Sequence, residues 1–197
     1  MADIGHRVLV TGGAGFLGSH LCDALVGRGH EVTCVDNFLT GHRQHVAHLE
    51  AHERFTIVDH DIIDPIDLSV DAIFNLACPA APGHYQADPI HTWKTSVFGV
   101  SNMVELARRN NATLFHSSTS EVYGTARYVP IDEEHPVIGQ SPYSASKIGA
   151  DKLVESFHLS FDFPAVTIRP FNTFGPRQSA RAIVPTIISQ CLNKSTI

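Results

Sequence analysis

Along the chain, short runs rich in Val, Ile, Phe and Thr alternate with longer stretches in which apolar residues return every three or four positions. The short runs read as strands and the longer ones as amphipathic helices. Strands are predicted at 8–10 (V-L-V), 31–36 (E-V-T-C-V-D), 55–59, 72–76 (A-I-F-N-L), 113–117 and 165–169. Helices are predicted from about Ala14 to Val26, His91 to Asn110, Tyr143 to Ser160 and Ala182 to Leu192. Strands separated by helices demand a parallel sheet covered on both faces and wound by right-handed crossovers. The pattern therefore predicts one doubly wound α/β domain. The proline-bearing stretch 123–140 is a long loop of the type that borders a site.

Composition narrows the function classes. With 197 residues, 43% of them hydrophobic and 17% charged, the chain can bury one sizeable core. A net charge of -6 with scattered Lys and Arg argues against a nucleic-acid partner. Cys22, Cys34, Cys78 and Cys191 are too far apart for C-x-x-C chemistry, and no secretory leader is read at the start, so a reducing cytoplasm is expected. No apolar run approaches the roughly 20 residues that span a bilayer, so no membrane segment is expected.

The first candidate chemistry is V-T-G-G-A-G-F-L-G-S-H, which follows the first strand and opens the first helix. Gly12, Gly13, Gly15 and Gly18 stand where a pyrophosphate meets a helix N-terminus, and side chains there would block its approach. Asp36, 24 residues after Gly12, ends the second strand, where a carboxylate can accept both ribose hydroxyls of NAD and would repel the 2'-phosphate of NADP.

The second is S-P-Y-S-A-S-K. On a helix Lys147 lies one turn beyond Tyr143, so its ammonium can favour the phenolate of a tyrosine that is otherwise a weak base at neutral pH. The stretch S-S-T-S-E-V-Y-G begins at the end of a predicted strand, the edge at which open α/β sheets bind ligands. Thr119 can hydrogen-bond a sugar hydroxyl there and Glu121 is a candidate base. The alternative is a structural turn in which Ser and Thr bond the backbone.

T-G-G-A-G-F-L-G, D-N, S-S-T-S-E-V-Y-G, Y-S-A-S-K and R-P-F-N-T-F-G-P-R, in this order, resemble the extended short-chain dehydrogenase/reductase family, whose members modify nucleotide sugars. The resemblance implies a Rossmann-type fold and NAD as cofactor. It implies cofactor contacts at Gly12, Gly15, Phe16, Leu17, Gly18, Asp36, Asn37, Asp61, Ile62, Leu76, Ala77, Thr95, Tyr143 and Lys147. Thr119, Tyr143 and Lys147 match the family's catalytic triad, with Glu121 beside them and Ser120 and Asn172 as substrate contacts. Tyr143 would take the proton of the sugar 4-hydroxyl as hydride leaves C4, giving a 4-keto sugar. The helices from about His91 and from Tyr143 would form a homodimer's four-helix seam, or in part cover the domain's own sheet.

The branch within the family stays open. F-N-L-A-C-P-A-A-P-G-H-Y-Q-A-D-P-I-H-T-W-K-T is similar to UDP-glucuronate decarboxylases, with Lys94 and Thr95 in the nucleotide-contact region. Y-S-A-S-K-I-G-A-D-K-L and the segment after Arg169 are more similar to 4,6-dehydratases, and a 4-epimerase is a further alternative. Ser120 stands where many glucose dehydratases carry an aspartate, which leans toward decarboxylation of a UDP-sugar. The family's smaller C-terminal substrate domain is expected to be largely absent, so that the chain is a truncated cofactor-binding domain or a weakly catalytic NAD-binding module.

Three features receive other readings. His42, His45, His48 and His52 recur at helical spacing, but a solvated helix explains them and no metal is expected. Arg169 and Arg177 could meet substrate phosphate, although Arg169 could equally pair with an acid across the sheet. Asp61 could also be a plain strand-end turn.

Overall fold

The computed structural model describes residues 7–193. Six strands, β1 (Arg7–Thr11), β2 (Glu31–Asp36), β3 (Phe55–Asp59), β4 (Ala72–Asn75), β5 (Thr113–Ser117) and β6 (Ala165–Ile168), form one parallel sheet in the order β3-β2-β1-β4-β5-β6. The intervening helices are α1 (Phe16–Gly27), α2 (Pro82–Tyr85), α3 (Pro89–Lys94), α4 (Val100–Asn110), α5 (Pro142–Phe161) and α6 (Ile183–Leu192). The order reverses between β1 and β4, which makes the gap beyond their carboxyl ends the natural ligand crevice of a doubly wound sheet.

Alternation along each strand splits the core into two layers. Val8, Val10, Val32 and Cys34 face α1 with Cys22, Leu25 and Val26. Leu9, Val35, Ile73 and Leu114 face α4 and α5 with Met103, Val104, Leu106, Ala150 and Val154. The first layer thins toward β6, where Val166 and Ile168 are exposed, and α6 buries none of its residues.

The predicted strands all form, although β4 and β6 each end one residue early. The predicted helix from His91 to Asn110 instead has three parts: α3, a π-helical turn at Thr95–Gly99, and α4. It starts earlier because Asp88 caps it by accepting the amide of His91 at 2.9 Å and Pro89 fits the first turn. The π turn lets Gly99 sit against Ile62, where a Cβ would strike the Ile62 side chain. The helix expected around the histidines is instead two short 3-10 turns, Arg43–His45 and Ala47–Leu49, because only Val46 and Leu49 have core to reach.

Candidate functional site

The glycine turn is shaped by contacts that only glycine permits. Gly12 has φ +66, and a Cβ on it would lie 2.8 Å from the Ala77 amide nitrogen after β4. A Cβ on Gly18 would run into the Gly12 carbonyl oxygen, so Gly18 lets α1 lie against the turn. Gly15 caps α1 with no side-chain bond and no acid follows in the first turn, which leaves the positive end of the helix open to an anion. Leu76 and Ala77 adjoin this turn through Thr11: the Leu76 amide donates to the Thr11 carbonyl at 3.1 Å and the Ala77 amide to its hydroxyl at 3.3 Å. Leu17 is exposed, while Phe16 packs on His20 and Gly175.

Asp36 is 7% exposed and accepts the amides of Ala14 at 2.9 Å and Phe38 at 2.8 Å, one on each oxygen. Burial raises its pKa, the two amides opposing. Each oxygen keeps one lone pair, enough for a pair of ribose hydroxyls. Asp61 is braced by Asn37 at 2.8 Å, His91 at 3.0 Å and the Ile63 amide at 3.0 Å. Burial works against its charge, but these donors outweigh it and hold the carboxyl below its ordinary range. Ile62 turns its side chain into the core, and its carbonyl accepts from Asn102, so its amide is what it can offer a ligand. Thr95 is buried and bonds the His91 carbonyl at 3.0 Å.

At the other side of the crevice, Ser141 and Ser144 form a capping box that starts α5 at Pro142 and fixes its first turn. Tyr143 and Lys147 follow on one buried face, each 4% exposed. Thr119 caps the 3-10 turn Ser120–Tyr123 through the Glu121 amide at 3.2 Å and lies close enough to Tyr143 to favour its phenolate. Burial nevertheless dominates, with Cys78, Glu121 and Tyr85 adding to it, and the Tyr143 pKa is raised. Lys147 donates to the Ser117 carbonyl at 2.9 Å. Tyr143 and Lys147 do lie one turn apart on one buried helix face, but the expected net downward pull on the tyrosine is corrected: burial raises its pKa, and the group that opposes it is the Thr119 hydroxyl. Glu121, at the rim, is also raised by burial.

Tyr85 on α2 stacks on Tyr143 with ring centroids 4.7 Å apart and planes 5° from parallel. Neither Tyr85 nor His91 was among the sequence candidates. A tyrosine beside prolines in P-A-A-P-G-H-Y carries no periodic signal, and its contact is 58 residues away in sequence.

After β6, Arg169 takes the acid pairing rather than a substrate-facing position: its Nε donates to Asp151 at 3.0 Å and Nη1 to the Tyr123 hydroxyl at 3.2 Å. Ser120 donates its amide to Pro170 at 3.1 Å, and Asn172 is exposed on the following loop. Arg177 pairs with Asp23 of α1 at 2.7 Å. The histidines are occupied separately, His45 on the Ala14 carbonyl and His48 on Asp23. Among the described residues no group of three or more His, Cys, Asp or Glu is arranged to hold a metal, and no helix is long and apolar enough to cross a membrane.

Comparison with known proteins follows this geometry. Residues 9–196 match the family described as GDP-mannose 4,6 dehydratase. UDP-glucuronic acid decarboxylase 1 of Arabidopsis thaliana is 42% identical over 195 residues, covering 95% of this chain and 45% of that protein. The Xenopus tropicalis protein of the same name is 42% identical over 193 residues, covering 94% of this chain and 46% of its own. The chain thus spans about half the length of the curated relatives it matches. A solved UDP-N-acetylglucosamine 4-epimerase from Methanobrevibacter ruminantium M1, in complex with UDP-N-acetylmuramic acid, superposes with TM-score 0.90 at 33% identity, covering 98% of this chain and 64% of that one. A dTDP-glucose 4,6-dehydratase from Streptomyces venezuelae, solved with NAD bound, gives 0.87 at 29%, covering 97% and 63%.

Proposed function

This chain belongs to the GDP-mannose 4,6 dehydratase family of extended short-chain dehydrogenases/reductases, and from that premise we propose that it is the cofactor-binding domain of an NAD-dependent nucleotide-sugar enzyme, a UDP-glucuronate decarboxylase. The observation that carries this reading is the meeting of two halves at one sheet edge: an open helix N-terminus with Asp36 on one side, and Thr119, Glu121, Tyr143 and Lys147 on the other. The 42% identity to UDP-glucuronic acid decarboxylases supports the decarboxylase branch over its neighbours.

The residues fit NAD. The glycine turn lies directly against the Ala77 backbone, with no room for a Cβ at Gly12, and the open end of α1 at Gly15, with no side chain capping it, favours a pyrophosphate. Asp36 would accept the adenosine ribose hydroxyls, with Asn37, Asp61 and the Ile62 amide at the adenine side and Leu76 and Ala77 under the pyrophosphate. When bound, NAD supplies a hydride acceptor and later donor at its nicotinamide, with a positive ring that opposes the desolvation of Tyr143.

The protein's own groups do the proton work. Tyr143 takes the 4-hydroxyl proton, Thr119 orients that hydroxyl, and Lys147 stabilises the phenolate. The resulting 4-ketone makes the sugar a β-keto acid, so the C5–C6 bond breaks, carbon dioxide departs, the bond's electron pair passes into the 4-enolate, and C5 takes a proton from water as the ketone re-forms. Tyr143 then returns its proton to the 4-oxygen as hydride returns to C4. Glu121 and Ser120 position the carboxylate end, and Asn172 meets the substrate.

Two further parts belong to this proposal. A homodimer would bury the apolar face of α3 and its π turn, where Ile90, Trp93 and Phe98 are exposed and Trp93 meets Phe98 edge to face at 5.6 Å. The four free cysteines, two of them buried, suit a reducing cytoplasm.

The test is to incubate the purified chain with NAD and UDP-glucuronate, UDP-glucose, GDP-mannose and dTDP-glucose and weigh the products. Loss of carbon dioxide from UDP-glucuronate is expected. Loss of water would move the assignment to a dehydratase, and a product of unchanged mass but new stereochemistry to an epimerase. NAD bound with no product from any sugar would leave an NAD-binding module.

A further inference from the structure

A row of polar residues crosses the sheet at the level where its apolar core stops. Thr11 on β1, Asn75 on β4 and His116 on β5 are register partners, and all three are buried on the face that carries α5. The Thr11 hydroxyl donates to Asn75 Oδ1 at 2.6 Å, and Asn75 Nδ2 faces His116 Nδ1 at 3.5 Å. This makes Nδ1 the acceptor and leaves the ring proton on Nε2. His116 Nε2 in turn faces Asp151 Oδ1 on α5 at 3.4 Å, both atoms buried and neither with a hydrogen bond of good geometry. The other oxygen of Asp151 takes the Arg169 Nε at 3.0 Å.

The position of Asp151 gives this row a purpose. Tyr143, Lys147 and Asp151 stand four residues apart on one buried helix face, each 4% exposed. A buried carboxylate one turn from a buried ammonium is a natural ion-pair partner for it, unless other groups already take up the carboxylate's oxygens, as Arg169 does here on one of them. Yet Lys147 donates to the Ser117 carbonyl at 2.9 Å rather than to Asp151. We propose that His116 and Arg169 are positioning residues that occupy Asp151 from both sides, so that Lys147 is held at Ser117 rather than folding back one turn. The charged or polar groups facing His116 are Asn75 from β4, its register partner Thr167 from β6, and Asp151 and Lys147 from α5. Burial lowers the His116 pKa, Asp151 opposing it and the Lys147 ammonium adding to it, and the net downward shift is in keeping with a neutral ring. A cationic His116 would instead put two buried cations side by side.

The inference rests on the assignment of Tyr143 and Lys147 proposed above, but it is read without turnover, so a chain that converts no sugar still tests it. Nitrogen-15 spectra of histidine-labelled protein should report His116 as the Nε2–H tautomer, unchanged from about pH 5.5 to 8.5 across the ordinary histidine range. A ring that protonates in that window, or carries its proton on Nδ1, overturns the proposal. In a crystal structure of His116→Leu, the Lys147 Nζ should leave Ser117 and come within about 3 Å of Asp151. His116→Gln, which keeps a side-chain N–H toward the acid, should preserve the Ser117 contact, and adding Asp151→Asn to His116→Leu should restore it. An unmoved Lys147 in His116→Leu sinks the idea. A purely packing role for His116 predicts no rescue by Asp151→Asn, and that outcome sinks it equally. If His116→Leu does not fold, the wild-type tautomer and the structure of His116→Gln decide.

Discussion

Around the glycine turn, polar groups answer one another. Asp36 is held by the amides of Ala14 and Phe38, with one lone pair left on each oxygen, Asp61 by Asn37, His91 and the Ile63 amide, and Thr11 by Ala77 and Asn75. Around α5, by contrast, buried polar atoms are less completely matched: His116 Nε2, Asp151 Oδ1 and Ser118 Oγ are buried without good partners, and burial raises Tyr143 and Glu121 as it raises Asp36, but without two backbone amides to oppose it. A region whose donors and acceptors are already matched is a rigid receptor, because nothing in it gains by moving. A region of poorly solvated titratable groups is primed for proton transfer, because small changes in nearby charge shift its protonation. The first should therefore govern binding and the second chemistry, and substitutions can separate the two.

The largest effect is expected at Tyr143. Tyr143→Phe removes the proton acceptor and should cut NADH formation from the responsive nucleotide sugar by about 10²–10⁴-fold, with NAD affinity by calorimetry nearly unchanged. An equal loss of NAD binding would break the division. On the receptor side, Gly18→Val forces α1 off the glycine turn, an overpacking expected to cost about 1–3 kcal/mol of stability. Denaturant titration reads that cost, and calorimetry should show NAD binding lost with it.

Asp36→Ala takes away charge-assisted acceptors worth about 1.5–3 kcal/mol, so NAD binding should weaken by at least about tenfold. The single-turnover rate at saturating NAD should barely change. A rate loss with intact binding would assign Asp36 to chemistry.

The smallest effect concerns acid stability. The folded Asp61 carboxyl lies below its ordinary value, so it adds stability above the ordinary carboxylate range near pH 4 and loses it as pH falls through the folded value. Between about pH 6 and 3, the urea midpoint of Asp61→Asn should therefore fall less than that of the parent. Equal falls would mean that its three donors do not favour the charged form.

Much of this layout was legible from local signals. The glycine spacing, the acid at the end of β2 and the Tyr–Lys pair one helical turn apart all lie within short windows, where spacing alone dictates geometry. The helix boundaries near His91 were legible only in part, because Asp88 and Pro89 start the helix before its apolar period does, and the π turn answers to Ile62, far away in sequence. The histidine segment was misread because helical spacing says nothing of whether core is available to cover. Tyr85 on Tyr143 and His91 on Asp61 had no sequence signal, as each is a contact between separate elements.

The sequence by itself determined the doubly wound sheet, its glycine turn and the face of α5 that carries Tyr143 and Lys147. These follow from periods of two and 3.6 residues and from the backbone freedom of glycine. Only the tertiary structure decided what each charge meets: that Arg169 pairs with Asp151, that Lys147 turns to Ser117, and that burial outweighs the pull on the Tyr143 phenol. Ionisation depends on solvent exclusion and on partners brought together by strand register, and neither quantity is a property of a local stretch of sequence.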